Sequence, residues 1–432
     1  MKIYFQKRTD KLKENLFLKA SFFSAISSAV KIIISLLIGK IIAIKSGASG
    51  MAIYGQLLNF VAIAVVLSGG AINEGITKYV SEFNVYKDNS LNKLLSTAIK
   101  ILIYCSIFFG ILIIIFSKTL TLVILHEIEY RSIFILFGIT LFFYGFNNFL
   151  LSVLNGFKEY KKFSIINIFL NLTTLLITIV LIYFYGLYGA LLGIVLNQSV
   201  IFIFTLFFLR NEKWLKINSF SNSFDNRIFK LLLQFGLLAV LTTAITPIVS
   251  IVIRNFIIER ESLAAAGYFE FVTRISSAGL LFFTVTVSTY YLPRISELFD
   301  KTEILKEVKD TYKIILPITF SILSVVYIFR FFIIKTLASD DFLKAANLFI
   351  FILLGVFFRL IAQVSGFVLL AKSRIKTLLS LEIVFNILYL VSSYFLLNLY
   401  GLIGCGYAFA LYNFIYAIFT ILITYTFLKK SN

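Results

Sequence analysis

Twelve apolar runs, each 20 residues or longer and separated by charged or glycine-bearing breaks, account for almost the whole chain. Their approximate limits are 17–44, 51–77, 94–116, 132–155, 163–184, 187–209, 229–258, 263–290, 311–334, 345–371, 377–398 and 401–428. About 20 apolar residues in helical form cross the hydrocarbon core of a bilayer. The pattern therefore predicts an all-α integral membrane protein of twelve transmembrane helices, with no room for a large soluble domain. The stretch before the first run is rich in Lys and Arg, and the run itself is too long for a signal-peptide core, so it is read as an uncleaved first span.

The breaks differ in charge by turns. With both termini on one side, that side receives 27 Lys and Arg and the opposite side 7. Cationic loops are retained in the cytoplasm, which places both termini there, in a multi-pass inner-membrane protein. The bias also explains the net charge of +19. In a soluble chain that charge would point to nucleic acid, but here no nucleic-acid partner is expected.

The two halves of the chain match. Tyr-Gly-Leu-Tyr-Gly begins at Tyr185 and Tyr-Gly-Leu-Ile-Gly at Tyr400, an offset of 215. The same offset pairs Val153-Leu154 with Val368-Leu369, Lys161 with Lys376, Asn171 with Asn386, and Ser81-Glu82 with Ser296-Glu297. Six spans per copy make the copies parallel, with a central cavity between two lobes. The expected division is an N-terminal lobe, 1–209, a cytoplasmic linker, 210–228, and a C-terminal lobe, 229–432. Gly186, Gly189, Gly401 and Gly404 lie at very short turns and predict tight hairpins with close helix approach.

Composition narrows the chemistry. Hydrophobic residues make up 60% of the chain, against 45–50% in soluble domains. The single histidine, His126, excludes a multi-histidine metal site and is read as a loop residue. Cys105 and Cys405 lie in apolar runs and are read as small hydrophobes. No metal site and no enzymatic cofactor is called for, and no catalytic residue stands out.

The informative residues are charges inside spans. Lys31, Arg254, Arg274 and Arg359 lie deep, and each would cost about 2.5–3.5 kcal/mol facing lipid at a helix centre. They are expected to face water or an acid. Three acids, Glu74, Glu270 and Glu382, are read as buried. Glu270 and Arg274 are four apart, the spacing of an intrahelical pair. Lys31, Arg254 and Arg359 then lack an evident partner, so a cationic cavity is expected. Lys40 is read as its neighbour near the outer end of the first span. Such a cavity suits a pyrophosphate, whose oxygens match Arg forks and Lys point charges. Glu74, Glu270 and Glu382 are the candidates for proton or sodium coupling, or for structural pairing.

The pieces Val30-Lys31-Ile32 with Gly39-Lys40, Gly75-Ile76-Thr77-Lys78-Tyr79-Val80, Gly156-Phe157-Lys158, Tyr185 to Gly193, Tyr291-Leu292-Pro293 and Ala371-Lys372 carry a family resemblance. In order and spacing the chain resembles, from about Leu18 to its C-terminus, the O-antigen and enterobacterial-common-antigen lipid flippases (Wzx type). These form the polysaccharide branch of the multidrug/oligosaccharidyl-lipid/polysaccharide exporter superfamily. The resemblance implies a two-lobed alternating-access flippase for undecaprenyl-pyrophosphate-linked sugar units. It also implies a lipid bilayer around the protein, and a polysaccharide polymerase and chain-length regulator as partners. Lys31 and Lys40 fall on the family's first-span pattern, and Arg359 falls where a basic residue is expected. The Glu270/Arg274 pair is not part of that pattern.

Two other function classes compete. A cation-coupled multidrug exporter of the same superfamily wants an excess of deep acids, and here cations outnumber them. A membrane enzyme such as a sugar polymerase wants a large outside loop, and the longest here, 117–131, is short. A peptidoglycan-precursor flippase is related in mechanism, with fourteen spans.

Overall fold

A computed structural model describes residues 2–84, 90–215, 220 and 223–429, and it is helical nearly throughout, with no strand among the described residues. In chain order the helices are α1 (Lys2–Ser68), α2 (Asn73–Phe83), α3 (Ser90–Ile115), α4 (Ser117–Leu120), α5 (Arg131–Gly156), α6 (Tyr160–Leu209), α7 (Asn226–Arg260), α8 (Leu263–Glu297), α9 (Lys301–Ile328), α10 (Arg330–Leu337), α11 (Leu348–Ala371), α12 (Ile375–Tyr400) and α13 (Leu402–Lys429). Nine helices among the described residues are long and apolar enough to cross a membrane. Two of the nine are folded rods. The 67 residues of α1 would extend about 100 Å if straight, roughly three bilayer cores. It turns at Gly47 (φ 65°, ψ −165°), and the 50-residue α6 turns at Gly186 (φ 56°, ψ −134°). Both turns fall in the breaks expected between spans. Of the expected loop cations, Lys87, Lys216 and Lys430 lie outside the described residues, as do 216–219 and 221–222 of the linker.

The 215-residue repeat is written in the backbone as well as in the letters. Gly186 and Gly401 are repeat mates, and both have positive φ, 56° and 62°. Beside them, a Cβ on Gly189 would stand 1.9 Å from Leu181 O, and one on Gly404 2.0 Å from Leu396 O. Leu181 and Leu396 are themselves mates. At the other end, Lys158 and Ser373 are mates with φ of 61° and 58°. Each ends its helix with the same two bonds, Lys158 N to Asn155 O and Glu159 N to Leu154 O, then Ser373 N to Leu370 O and Arg374 N to Leu369 O. This is a Schellman close with a non-glycine residue in the left-handed position. The hairpin glycines have no slack, because the colliding atoms are backbone. Gly404→Ala is expected to lower the melting temperature of detergent-purified protein by several degrees, the equivalent of about 1–3 kcal/mol of overpacking. Gly279→Ala, with open space around it, is the neutral comparison.

Three other helices start from a side-chain cap. Asp225 accepts from Arg227 N and Ile228 N at the start of α7, and Ser262 accepts from Ala265 N at the start of α8. Ser262 is the repeat mate of Gly47, so the two copies make one turn by different means. Asp300 caps α9, and hydrogen bonds from the Thr302 hydroxyl and amide hold its carboxyl below the ordinary range.

The apolar core is continuous at one end and divided at the other. At the end carrying Gly47, Gly186 and Gly401, one cluster takes residues from both halves, among them Ile42, Met51, Phe134, Ile253, Phe269 and Ala408. At the end carrying Lys158 and Ser373 there are two clusters. One joins Val80, Leu94 and Leu154 to Ile228 and Leu232 at the start of α7; the other joins Tyr291, Ile304, Val368 and Leu428. Close approach is again marked by glycine. A Cβ on Gly267 of α8 would meet Ala48 O of α1 at 1.8 Å, and a Cβ on Gly55 of α1 would meet Glu270 Cδ of α8 at 2.5 Å. Gly55 and Glu270 are repeat mates, so the axis relating the copies passes between the second rod of α1 and α8.

Candidate functional site

Between the halves lies a cavity of about 510 Å³, bounded by α1, α7, α8, α11, α12 and α13. Six charged side chains line it: Lys31, Arg254, Glu270, Arg274, Arg359 and Glu382. Four are basic and two acidic, so its wall carries a formal surplus of two positive charges. Set in a concave wall, that surplus acts on an anion more strongly than it would on a flat surface.

Hairpin geometry sets the pairing. Glu270 sits on α8 opposite Arg254 on α7 and accepts from its Nη1; the other Glu270 oxygen accepts from Arg274 Nη2 at 2.9 Å. One carboxylate therefore serves two guanidiniums, and Arg274 also lies over the Tyr54 ring, 5.2 Å from its centroid. On the next hairpin but one, Arg359 of α11 donates to Glu382 Oε1 of α12 at 2.8 Å and lies over the Tyr416 ring at 4.7 Å. Tyr416 donates its hydroxyl to the same carboxylate oxygen at 2.9 Å, and Asn386 Nδ2 reaches the other at 3.4 Å. These bonds offset the cost of placing ions away from water.

The expectation that Arg254 and Arg359 are unpaired is corrected. Both hold carboxylates, across separations of 16 and 23 residues. A search for partners along one helix finds only spacings of three and four and misses partners on the returning helix. The expected Glu270/Arg274 pair is present. Lys31 is exposed, lines the cavity and makes no ion pair among the described residues. Lys40 is half-buried and does not line the cavity. Glu74, expected to be buried, is exposed in the first turn of α2, because the second rod of α1 ends at Ser68 and α2 starts a new segment at the boundary.

The arginines are not saturated. Arg254 Nη2, Arg274 Nε and the Ser276 hydroxyl, all on lining residues, are buried without a hydrogen-bond partner. Buried donors are nearly always paired, so these three stand out beside the cavity. Sequence reasoning missed the amides of this region. Gln56 is fully buried and bonds Arg254 Nε through its Oε1 at 3.1 Å, while its Nε2 donates to Asn255 Oδ1 at 2.7 Å. A polar residue in the middle of an apolar run was the available signal. His126 is in the loop, as expected, with Nε2 3.1 Å from Asn255 Oδ1. No cluster of potential metal ligands occurs among the described residues.

Comparison with known proteins agrees with this architecture. The family model described as "Polysaccharide biosynthesis protein" matches residues 80–347. The chain is similar to the lipid III flippase of Escherichia coli (strain K12), 27% identical over 393 residues, or 90% of this chain and 94% of that one. It is also similar to a Shigella flexneri protein described as a putative O-antigen transporter, 24% identical over 83% of this chain and 86% of that one. Among solved structures, the inward-facing conformation of a multidrug resistance MATE family transporter of the MOP superfamily superimposes with a TM-score of 0.79. It is 16% identical over 94% of this chain and 99% of that one. At that identity the likeness concerns the fold alone.

Proposed function

The chain belongs to the polysaccharide biosynthesis protein family, and on that premise we propose that it is a flippase for undecaprenyl-pyrophosphate-linked oligosaccharides of a surface polysaccharide, such as O-antigen. The observation that carries the reading is the cavity's surplus positive charge together with its unsatisfied guanidinium donors. A diphosphate esterified at both ends brings about two negative charges and several acceptor oxygens, and acceptors are what Arg254 Nη2, Arg274 Nε, Ser276 and Lys31 lack. The names of the two relatives support the same substrate class.

The residues are given these roles. Arg254, Arg274 and Lys31 hold the diphosphate. Arg359, oriented by Glu382, offers its remaining guanidinium donors on the far wall. Lys40 helps draw the headgroup toward the cavity from its half-buried place on α1. Lobes 1–209 and 229–432, joined by 210–228, rock about the cavity while the prenyl tail stays in lipid. The Lys and Arg bias supports cytoplasmic termini; the proposed setting is the inner membrane, with a polymerase and chain-length regulator acting on the product outside. The continuous core at the hairpin end and the divided core at the basic end fit a state closed outward and open inward. Transport requires no bond to be made or broken, and Glu270 and Glu382 stand where proton or sodium coupling would act.

The test is reconstitution. In proteoliposomes loaded with a fluorescent undecaprenyl-diphosphate sugar, the protein is expected to move the label between leaflets, read by impermeant quencher. Transport of a cationic dye, with no movement of the lipid-linked sugar, would instead favour a cation-coupled multidrug exporter.

A further inference from the structure

Gln56 is fully buried and directs all three of its side-chain hydrogen bonds at α7: Nε2 donates to Ile251 O at 3.4 Å and to Asn255 Oδ1 at 2.7 Å, and Oε1 accepts from Arg254 Nε at 3.1 Å. Asn255 extends the chain outward. Its Nδ2 donates to Val123 O at 3.1 Å, and its Oδ1 also lies 3.1 Å from His126 Nε2, which donates as the Nε2–H tautomer. Gln56, Val123 and His126 belong to the first half and Arg254 and Asn255 to the second. Every one of these bonds therefore crosses between the halves, at the end where they share a core. None can survive separation of the halves there.

Arg254 is the inner terminus of this chain and also a wall of the cavity, with Nη2 free. We propose that Gln56 and Asn255 form a latch that holds the hairpin end shut and that an anion bound at Arg254 releases. The inference rests on the flippase reading above and adds how occupancy is sensed. A phosphate within reach of Nη2 competes for the whole guanidinium. Rotation of Arg254 toward it withdraws Nε from Gln56 Oε1, leaving a buried amide oxygen unpaired. A buried acceptor without a donor is unfavourable, so the closed state is penalised and the open state, where water reaches Gln56, gains population. A ligand shifts such an equilibrium only by its difference in affinity between the two states. Here that difference is the broken Arg254–Gln56 bond. Gln56 and Asn255 act through Arg254 and touch no substrate: they are positioning residues.

The test reads which side the cavity opens to. Ser250 lines the cavity on α7, so Ser250→Cys in a Cys105→Ser, Cys405→Ala background reports access to an impermeant maleimide. Labelling is measured in right-side-out and inside-out vesicles. Asn255→Ala is expected to raise labelling from the hairpin side roughly tenfold and to lower it from the basic side in parallel, which mere loosening of the fold would not do. Gln56→Leu is expected to do the same. Asn255 is half-buried, so its variant keeps the test valid if Gln56→Leu does not fold. Undecaprenyl diphosphate is then added to the reporter protein, with binding read separately by thermal shift. Hairpin-side labelling is expected to rise with Arg254 present and to stay flat in Arg254→Gln. Unchanged labelling in folded Asn255→Ala overturns the latch. Binding of the lipid with no gain in labelling overturns the latch and leaves the flippase reading standing. Absence of binding overturns the flippase reading, and the latch with it.

Discussion

Arg254→Ala is expected to reduce transport of a lipid-linked sugar by about a hundredfold or more while the protein still folds. The two halves of that result have separate causes. Glu270 keeps its second partner, Arg274, at 2.9 Å, so the carboxylate is not stranded when Arg254 goes. The loss falls instead on the cavity, which forfeits one of its two surplus charges and Nη2, the one unpaired nitrogen of the guanidinium fork. A charge-assisted hydrogen bond is worth about 1.5–3 kcal/mol, and the lost charge adds to it. Arg254→Lys restores the charge without the fork and should recover only part of the rate. The measurement is initial rate in proteoliposomes, normalised to protein that elutes as a single species from size exclusion. Full activity in both variants would remove Arg254 from the binding site.

Arg359→Ala is expected to fail for a different reason, through stability. It leaves Glu382 on α12 with Tyr416 and Asn386 but no cation. Breaking a buried pair by removing one partner costs about 3–5 kcal/mol. Both side chains here keep 27% of their exposure, and water in the cavity softens the loss to roughly 2 kcal/mol. The expected result is a lower melting temperature together with lower transport. A double variant, Arg359→Met with Glu382→Leu, removes both ions and should regain most of the stability, since apolar replacement of an ion pair is often neutral. Its transport should stay low, because the far wall has lost a guanidinium donor even though the cavity's net charge is unchanged. Recovery of transport together with stability would mean that Arg359 only holds α11 to α12.

What could be read before the structure follows from the range of each signal. Span positions and the hairpin glycines rest on local sequence, so Gly186 and Gly401 were placed correctly and their positive φ follows from the turn. The repeat was legible because it is ungapped. The deep cations were found one by one, by the cost of a charge in lipid, and Lys31, Arg254, Arg274 and Arg359 do share one cavity. The partners of Arg254 and Arg359 were not found, because Arg254–Glu270 and Arg359–Glu382 form across helix hairpins, and which faces of two helices meet depends on packing the sequence does not state. Glu74 was misplaced for a related reason: it was taken as part of a continuous second span, whereas the chain breaks after Ser68 and restarts as α2. Gln56 and Asn255 were passed over because ranking by charge leaves out amides, although an unpaired amide in an apolar setting also costs about 2–7 kcal/mol.

The repeat that builds the cavity is unequal where it matters. Subtracting 215 from the charged residues of the second half gives Gly39 for Arg254, Gly55 for Glu270, Asn59 for Arg274, Tyr144 for Arg359 and Asn167 for Glu382. The second copy supplies the ions, and the first supplies room, as at Gly55, where any side chain would strike the Glu270 carboxylate. Lys31 is the first copy's one charged contribution to the wall. On the proposed reading the binding charges therefore sit mostly in one copy and the space for them in the other, so mutations that disable binding are expected mostly after residue 229 and those that disable closure before it.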